Sequence, residues 1–572
     1  MSANARLKVV LCWHMHQPQY TNLISREHLL PWTYLHAIKD YADMAAHLEA
    51  LPAARAVVNF SPVLLEQIDA YAAEVHGYLT NSLAIHDPLL ASLANPALPA
   101  GLEQRVILLK ACLRANEKRM IDRYPAYRRV ADMGVWLIKH QDVMPYIADQ
   151  FLADILVWYH LAWLGEAIQR RDLRVRRLIA KGNHFNLHER RELLEVIDEQ
   201  LSGLIGRYAH LARIGQVELS VSPYAHPILP LLFDFHSAQQ ALPTATLPHL
   251  RAYPGGDVRA AWHVRAAIDT FEHYFGFRPQ GCWPAEGAVS EPTLRLLEES
   301  GFTWSASGGQ VLANSLAAVH ASAAAATTPI DRRQYRDYRL PGARMSCFFR
   351  DDGLSDLIGF TYADWHADDA VANLIVRLEA IAGACTGQEG SVVSIVMDGE
   401  NAWEYYPENA YHFLNALYQR LSSHPALELT TFSACLDGQG THAELTHLVA
   451  GSWVYGNFST WIGEPDKNHA WEMLGDAKRA FDVATASGRW SGDAQARAER
   501  QLAICEASDW FWWFGDLNPS ATVSDFDRLY RQHLANLYQL CGEEPPQYLS
   551  QPFSHGGGAP ALGGVMRPGQ SA

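Results

Sequence analysis

The chain has 572 residues, 49% hydrophobic and 19% charged, which gives ample material for a large core and excludes a disordered polymer. Its net charge of −16 excludes a phosphate-backbone binder, which needs a basic face. No stretch approaches the roughly 20 apolar residues that cross a bilayer, and the apolar run Val9 to Trp13 is too short for a secretory signal, so a cytoplasmic protein is expected.

In chain order, short apolar runs rich in β-formers recur at Leu7 to Trp13, Ala56 to Phe60, Gln216 to Val221, Gln280 to Trp283, Phe302 to Ser305, Met345 to Phe349, Ser391 to Met397 and Leu427 to Phe432. Several are continuous hydrophobics, as for strands of a parallel sheet buried on both faces. Helical patterns lie between them. Ser290 is placed to cap a helix that stops at Gly301, and Leu374, Leu378 and Ile381 share one face of another. The alternation predicts a β/α barrel over residues 1–445, with a long helical insertion at about 61–212 opened by Ser61-Pro62. From about Ala450 the strand signals fade, and 446–550 is expected to be a helical domain. The Gly/Pro/Ala-rich end, 551–572, reads as a disordered tail. The eight cysteines lie far apart with no CxxC pair, the pattern of free thiols.

In a parallel barrel the reactive groups sit just past the C-terminal ends of the strands. Four polar clusters occupy such positions. His14, His16 and Gln17 leave the first run, and the H-x-H pair is compatible with sugar binding or with a metal. Glu218 lies inside the third run, as either a site carboxylate or a structural one, and His226 follows in a Pro-rich loop. Glu286 sits in the loop after the fourth, where a barrel presents a nucleophile, with Trp283 beside it to pack on a ring. Asp398 ends the seventh, and Glu400, Trp403, Glu404, Tyr405 and Tyr406 extend an acidic, aromatic wall. Two carboxylates from different strand ends, set among Trp and Tyr, suit glycosidic bond cleavage, one attacking the anomeric carbon while the other gives a proton to the leaving oxygen.

HQP after a strand, GQVEL, WPAEG and MDGEN, in this order, resemble the signature motifs of glycoside hydrolase family 57. Further stretches, among them FRDDGLSDLIGF, GNFSTWIGEPDKNHAWEML and EASDWFWWFGD, resemble its amylase and amylopullulanase members, and the likeness runs from about residue 7 to about 545. The resemblance implies a (β/α)7 barrel followed by a helical bundle, retention of anomeric configuration, and no metal or other cofactor in the bond cleavage. By position it implies that Glu286 is the nucleophile and Asp398 the general acid/base. His14, His16, Gln17 and Glu218 fall in its substrate-binding motifs. Trp283, Asp356, Trp403 and Trp461 are expected to contact sugar from flanking similarity and from the affinity of flat rings for sugar faces. FRDDG departs from the FRDH pattern of amylase-like members, with Asp352 in place of His.

The expected activity is hydrolysis of α-1,4 bonds, with α-1,6 bonds as a further option, in starch- or glycogen-type glucans. A 4-α-glucanotransferase or branching enzyme would use the same residues. Two further readings compete: a metal-dependent hydrolase liganded by His14, His16 and Asp398, and a glucan-binding barrel without catalysis.

Overall fold

The computed structural model describes residues 6–319, 331–437, 442–488, 490–558 and 566. Its centre is a curled sheet of ten strands: β1 (Leu7–Met15), β2 (Ala56–Phe60), β3 (Val217–Val221), β4 (Gly281–Cys282), β5 (Trp304–Ser307), β6 (Tyr338–Arg339), β7 (Ser346–Phe349), β8 (Val392–Asp398), β9 (Leu427–Thr430) and β10 (Ala443–Glu444). Seven of them run parallel in the order β7-β5-β4-β3-β2-β1-β8. Arg350, one residue beyond β7, pairs in parallel with Ser394 of β8, and the Asp351 N–H donates to the Ser394 carbonyl at 2.8 Å. This contact joins the two ends of the sheet, giving the distorted (β/α)7 barrel. β9 pairs with the first half of β1, and β6, antiparallel to β7, carries β10 outside the ring.

Strand parity sorts the side chains of the barrel. Val9, Leu11, Trp13 and Met15 of β1 join the large core between sheet and helices. Val10 and Cys12 turn inward, where they meet Val57, Trp283, Trp304, Phe348, Val396 and Phe432. Both faces of β1 are therefore apolar, which explains its unbroken hydrophobic sequence. The run expected to reach Phe432 stops at Thr430. The Thr431 side chain caps the helix Phe432–Leu436 instead, and Phe432 plugs the barrel floor.

Between β2 and β3 the chain is helical from Pro62–Asn81 to the long helix Leu187–Arg213, whose start is fixed by a capping box between Asn186 and Glu189. Ser290 caps Glu291–Glu299 as its position predicted. After β10 the helices Pro465–Ala486, Asp493–Cys505, Ser508–Trp513 and Ser520–Leu540 pack together. They are tied to the barrel by buried Glu506, which accepts from Arg259, His263 and Tyr253 at 2.6–3.1 Å.

Residues 551–558, expected to begin a disordered tail, are instead anchored. Phe553 packs edge-on against Phe514, Ser554 is buried and accepts from the Gly515 N–H, and Gly557 and Gly558 donate to the Asn518 carbonyl. Glycine-rich composition hid an aromatic anchor with close backbone packing. The rest of the expected tail, Met566 excepted, lies outside the described residues. Among the described residues no helix is long and apolar enough to cross a membrane.

Candidate active site

The inward parity of the strands carries the polar residues to the barrel mouth. On β1, Val10 and Cys12 are followed by His14 and then His16; on β8, Val392, Ser394 and Val396 are followed by Asp398. Register completes the layer: His14 pairs with Asp398 on one side and Asn59 on the other, and Asn59 with Ser220. Arg350 arrives the same way, two residues beyond inward Phe348. These groups open into a cleft of about 520 Å³ lined by His14, His16, Gln17, His226, Glu286, Arg350, Asp398 and Glu400. The volume falls within the range of small-molecule sites.

Glu286 follows β4 in a tight turn. Its backbone is left-handed (φ 56°, ψ 24°), a strained conformation for a residue other than glycine and one that clusters at functional sites. Gly287 is left-handed too, and a Cβ there would come within 2.7 Å of the Trp283 ring. Trp453 brackets Glu286 twice: its indole Nε1 donates to Oε2 at 2.9 Å and its backbone N–H to the Glu286 carbonyl at 3.1 Å.

Across the cleft, burial raises the Asp398 carboxyl to about 6, while the Asn401 amide, donating to Oδ2 at 3.1 Å, and the charges of His16 and Arg350 pull the other way. Glu400, 3% exposed, is pushed well above the usual carboxylate range by burial and then by the charges of Asp398 and Asp40. Gln17 Nε2 donates to its Oε1 at 3.3 Å, and its buried Oε2 has no partner among the described residues.

The histidines form a fixed network. His14 Nδ1 donates to Asn59 Oδ1 at 2.7 Å, so its Nε2 accepts from His226 Nε2 at 3.0 Å, and His226 Nδ1 accepts from the Ser508 hydroxyl at 3.0 Å. Burial holds both rings neutral, pushing His14 down to about 3 and His226 well below its ordinary value. His16 Nδ1 accepts from Ser61 Oγ at 2.7 Å and its Nε2 donates to Asp509 Oδ1 at 2.8 Å. Among the described residues, His16, His226 and Asp509 are the group whose ligand atoms lie close enough to share a metal ion, within 4.8 Å of one another. This set replaces His14, His16 and Asp398, the ligands considered from sequence.

Five residues expected to touch sugar lie outside the cleft lining. Glu218 has the inward parity but pairs with Val57, whose other neighbour is Cys12, one layer below His14. There it accepts from the Trp304 indole at 2.6 Å and from the N–H and hydroxyl of Ser433 at 2.9 and 2.5 Å, a structural carboxylate at the barrel floor. Trp283 is fully buried inside the barrel beneath Trp453. Trp403 is buried against Trp13, its indole donating to the Gly399 carbonyl, and Trp461 is buried against Trp512. Asp356 accepts from Arg350 Nη2 at 2.8 Å and so holds a guanidinium that lines the cleft. Asp352 accepts from Arg350 Nη1 at 2.8 Å and from the Gln310 N–H at 3.0 Å, which makes it a partner of Arg350 and of the helix Gly309–Val319.

The aromatic rings that do line the cleft include Trp32, Trp163, Phe360, Trp453, Trp512 and Trp513. Sequence reasoning missed them, together with Arg350 and Asp509. Parity beyond Phe348 could have found Arg350; nothing local in EASDWFWW shows that its helix caps a barrel mouth.

A parallel barrel with carboxylates, imidazoles and indoles converging at the C-terminal ends of its strands is the scaffold of a carbohydrate-active enzyme. The chain belongs to glycosyl hydrolase family 57, whose model matches residues 10–445. No curated protein sequence matches it. Its fold is similar to that of a family 57 branching enzyme from Thermococcus kodakaraensis, with TM-score 0.58 and 15% identity over 93% of this chain and 90% of that one. A branching enzyme of the same type from Pyrococcus horikoshii gives 0.56 and 16% over 94% and 90%. The α-amylase AmyC from Thermotoga maritima gives 0.55 and 13% over 94% and 93%.

Proposed function

We propose that this protein is a retaining α-glucan-active glycoside hydrolase in which Glu286 is the nucleophile and Asp398 the general acid/base. One observation carries the proposal: the two carboxyls, 112 positions apart in sequence, line one cleft in different environments, Glu286 held by the Trp453 indole and Asp398 raised to about 6 by burial. In the first step Glu286 attacks the anomeric carbon while the Asp398 proton passes to the departing glycosidic oxygen, leaving a glycosyl ester on Glu286. In the second, Asp398 takes a proton from the incoming acceptor, which displaces the ester and restores both carboxyls.

The remaining groups bind. Gln17 and Glu400, which line the cleft, are the groups to bond ring hydroxyls, while His14, both of its ring nitrogens engaged by Asn59 and His226, shapes the wall beside them. Residues 1–445 supply the catalytic barrel, and 446–550 supply Trp453, Asp509, Trp512 and Trp513 to the cleft wall. Transfer to a second glucan, as by a 4-α-glucanotransferase or branching enzyme, is the second reading. It is favoured by the aromatic wall, which suits an acceptor chain as well as a donor. A cytoplasmic location accords with the free cysteines, seven of the eight buried.

Product analysis on amylose, amylopectin and pullulan is the test. New reducing ends at constant branching show hydrolysis, new branch points or redistributed chain lengths show transfer, and maltotriose from pullulan shows α-1,6 cleavage. Glu286→Ala with azide should yield a glycosyl azide of inverted configuration. Full turnover in Glu286→Ala or in Asp398→Ala would overturn the assignment.

A further inference from the structure

We propose that a pocket around Trp365, separate from the cleft, is a second binding site for the same neutral glucan chains; the inference rests on the α-glucan reading above. The pocket encloses about 420 Å³ and is lined by Trp365, His366, Asp368, Tyr406, His412 and Phe413. A single exposed large side chain is ordinary on a protein surface. Trp365 differs in being 43% exposed within a concavity, its ring held at one edge by Tyr362 in a T-shaped contact at 5.4 Å. Tyr362 is itself buried, its hydroxyl donating to Asn373 Oδ1 at 2.8 Å. The indole is thus propped from within while nearly half its surface stays open.

The pocket and the cleft share a wall. Phe360 and Glu404 line the cleft, whereas Trp365 and Tyr406, a few residues further along the same two segments, line the pocket. Arg119 ties the segments together, donating to the Tyr405 carbonyl at 2.7 Å and to the Ala363 carbonyl and Asp364 at 3.2 Å. A platform fixed next to the cleft can hold a distant part of a chain whose other end is being cut.

The occupant follows from the chemistry of the rim. The lining carries one carboxylate, Asp368, and no lysine or arginine, on a chain of net charge −16, which disfavours polyanions. An open indole face flanked by a carboxylate and imidazoles suits apolar sugar faces edged with hydroxyls. Two sites on one rigid wall make binding of a long chain bivalent, while a short oligosaccharide fills only the cleft.

The test compares wild type, Trp365→Ala, Trp365→Phe and His412→Ala on amylopectin and on maltotetraose, with retardation in glycogen-containing native gels as a readout independent of turnover. His412 is exposed on the facing helix, so its variant folds even if Trp365→Ala does not. Trp365→Ala should raise KM on amylopectin about three- to tenfold and lose glycogen retardation, leaving kcat/KM on maltotetraose unchanged. Trp365→Phe should restore part of the loss, and His412→Ala should shift amylopectin KM in the same direction. Unchanged amylopectin KM and retardation in Trp365→Ala and His412→Ala, or equal losses on both substrates, would overturn the second site alone. A wild-type protein inactive on every α-glucan would overturn the α-glucan reading and this inference with it.

Discussion

The indole of Trp453 donates to Glu286 Oε2 at 2.9 Å, while the guanidinium of Arg350 lies 5.3 Å from the centre of the same tryptophan ring. One side chain thus orients the proposed nucleophile and is itself steadied by a buried cation. A hydrogen bond to a carboxylate contributes about 1.5–3 kcal/mol. Trp453→Phe, which keeps the ring and deletes the donor, should therefore lower kcat roughly ten- to a hundredfold. The same lost bond should also lower the thermal midpoint, so kcat is read well below it. Unaltered kcat in this variant would show that the indole does not orient the nucleophile.

The proposed role of Asp398 predicts a pH dependence. As the proposed acid of the first step it must be protonated, and with its carboxyl raised to about 6, kcat/KM should fall as pH rises through that value. Asn401 favours the ionised form by donating to Oδ2. Asn401→Ala should push the carboxyl higher still and move the basic limb upward. Linkage gives a second measurement. A carboxyl raised in the folded state stabilises most below its ordinary value near 4, and that contribution is lost as pH rises through about 6. Asp398→Asn should hence melt above wild type at pH 8 and lose the advantage near pH 4. A basic limb that stays in place in Asn401→Ala would assign it to another group.

The barrel was legible in the sequence because strands buried on both faces must be continuously apolar, and a polar residue ending such a run must lie at the rim. That logic located His14 and Asp398. It failed for Glu218 because parity reports which way a side chain points and not how far along the barrel it lies; the register with Val57 and Cys12 decides that. It failed for Trp283, Trp403 and Trp461 because composition cannot separate an indole that packs from one that lines a cleft. Trp512, Trp513 and Asp509 escaped because they meet the rim only through tertiary docking, some 500 residues after His14.

The reassignment of Glu218 has its own consequence. Its carboxylate satisfies the Trp304 indole and the Ser433 N–H and hydroxyl of the floor helix, all below the cleft. Glu218→Ala should leave those donors unpaired and cost about 1–3 kcal/mol, measured as a lower denaturation midpoint. KM for maltooligosaccharides should be unchanged, because the residue lies outside the cleft lining. A raised KM at unchanged stability would return Glu218 to the binding site.

Metal dependence separates the two-carboxylate mechanism from its main competitor. His16, His226 and Asp509 could gather around a cation, yet each already bonds within the protein: His16 Nε2 donates to Asp509, and His226 bonds both His14 and Ser508. A cation would have to displace the His16–Asp509 bond and the His226 proton to obtain its lone pairs, whereas glycosyl transfer between Glu286 and Asp398 needs neither change. Exhaustive chelation should therefore leave amylose turnover within about twofold of the untreated enzyme, since no step of the double displacement passes through a metal. Added zinc should inhibit if it enters this histidine cluster, because it would occupy the space beside His14 where the sugar is expected. Activity abolished by chelation and restored by zinc would transfer the chemistry from the two carboxyls to His16, His226 and Asp509.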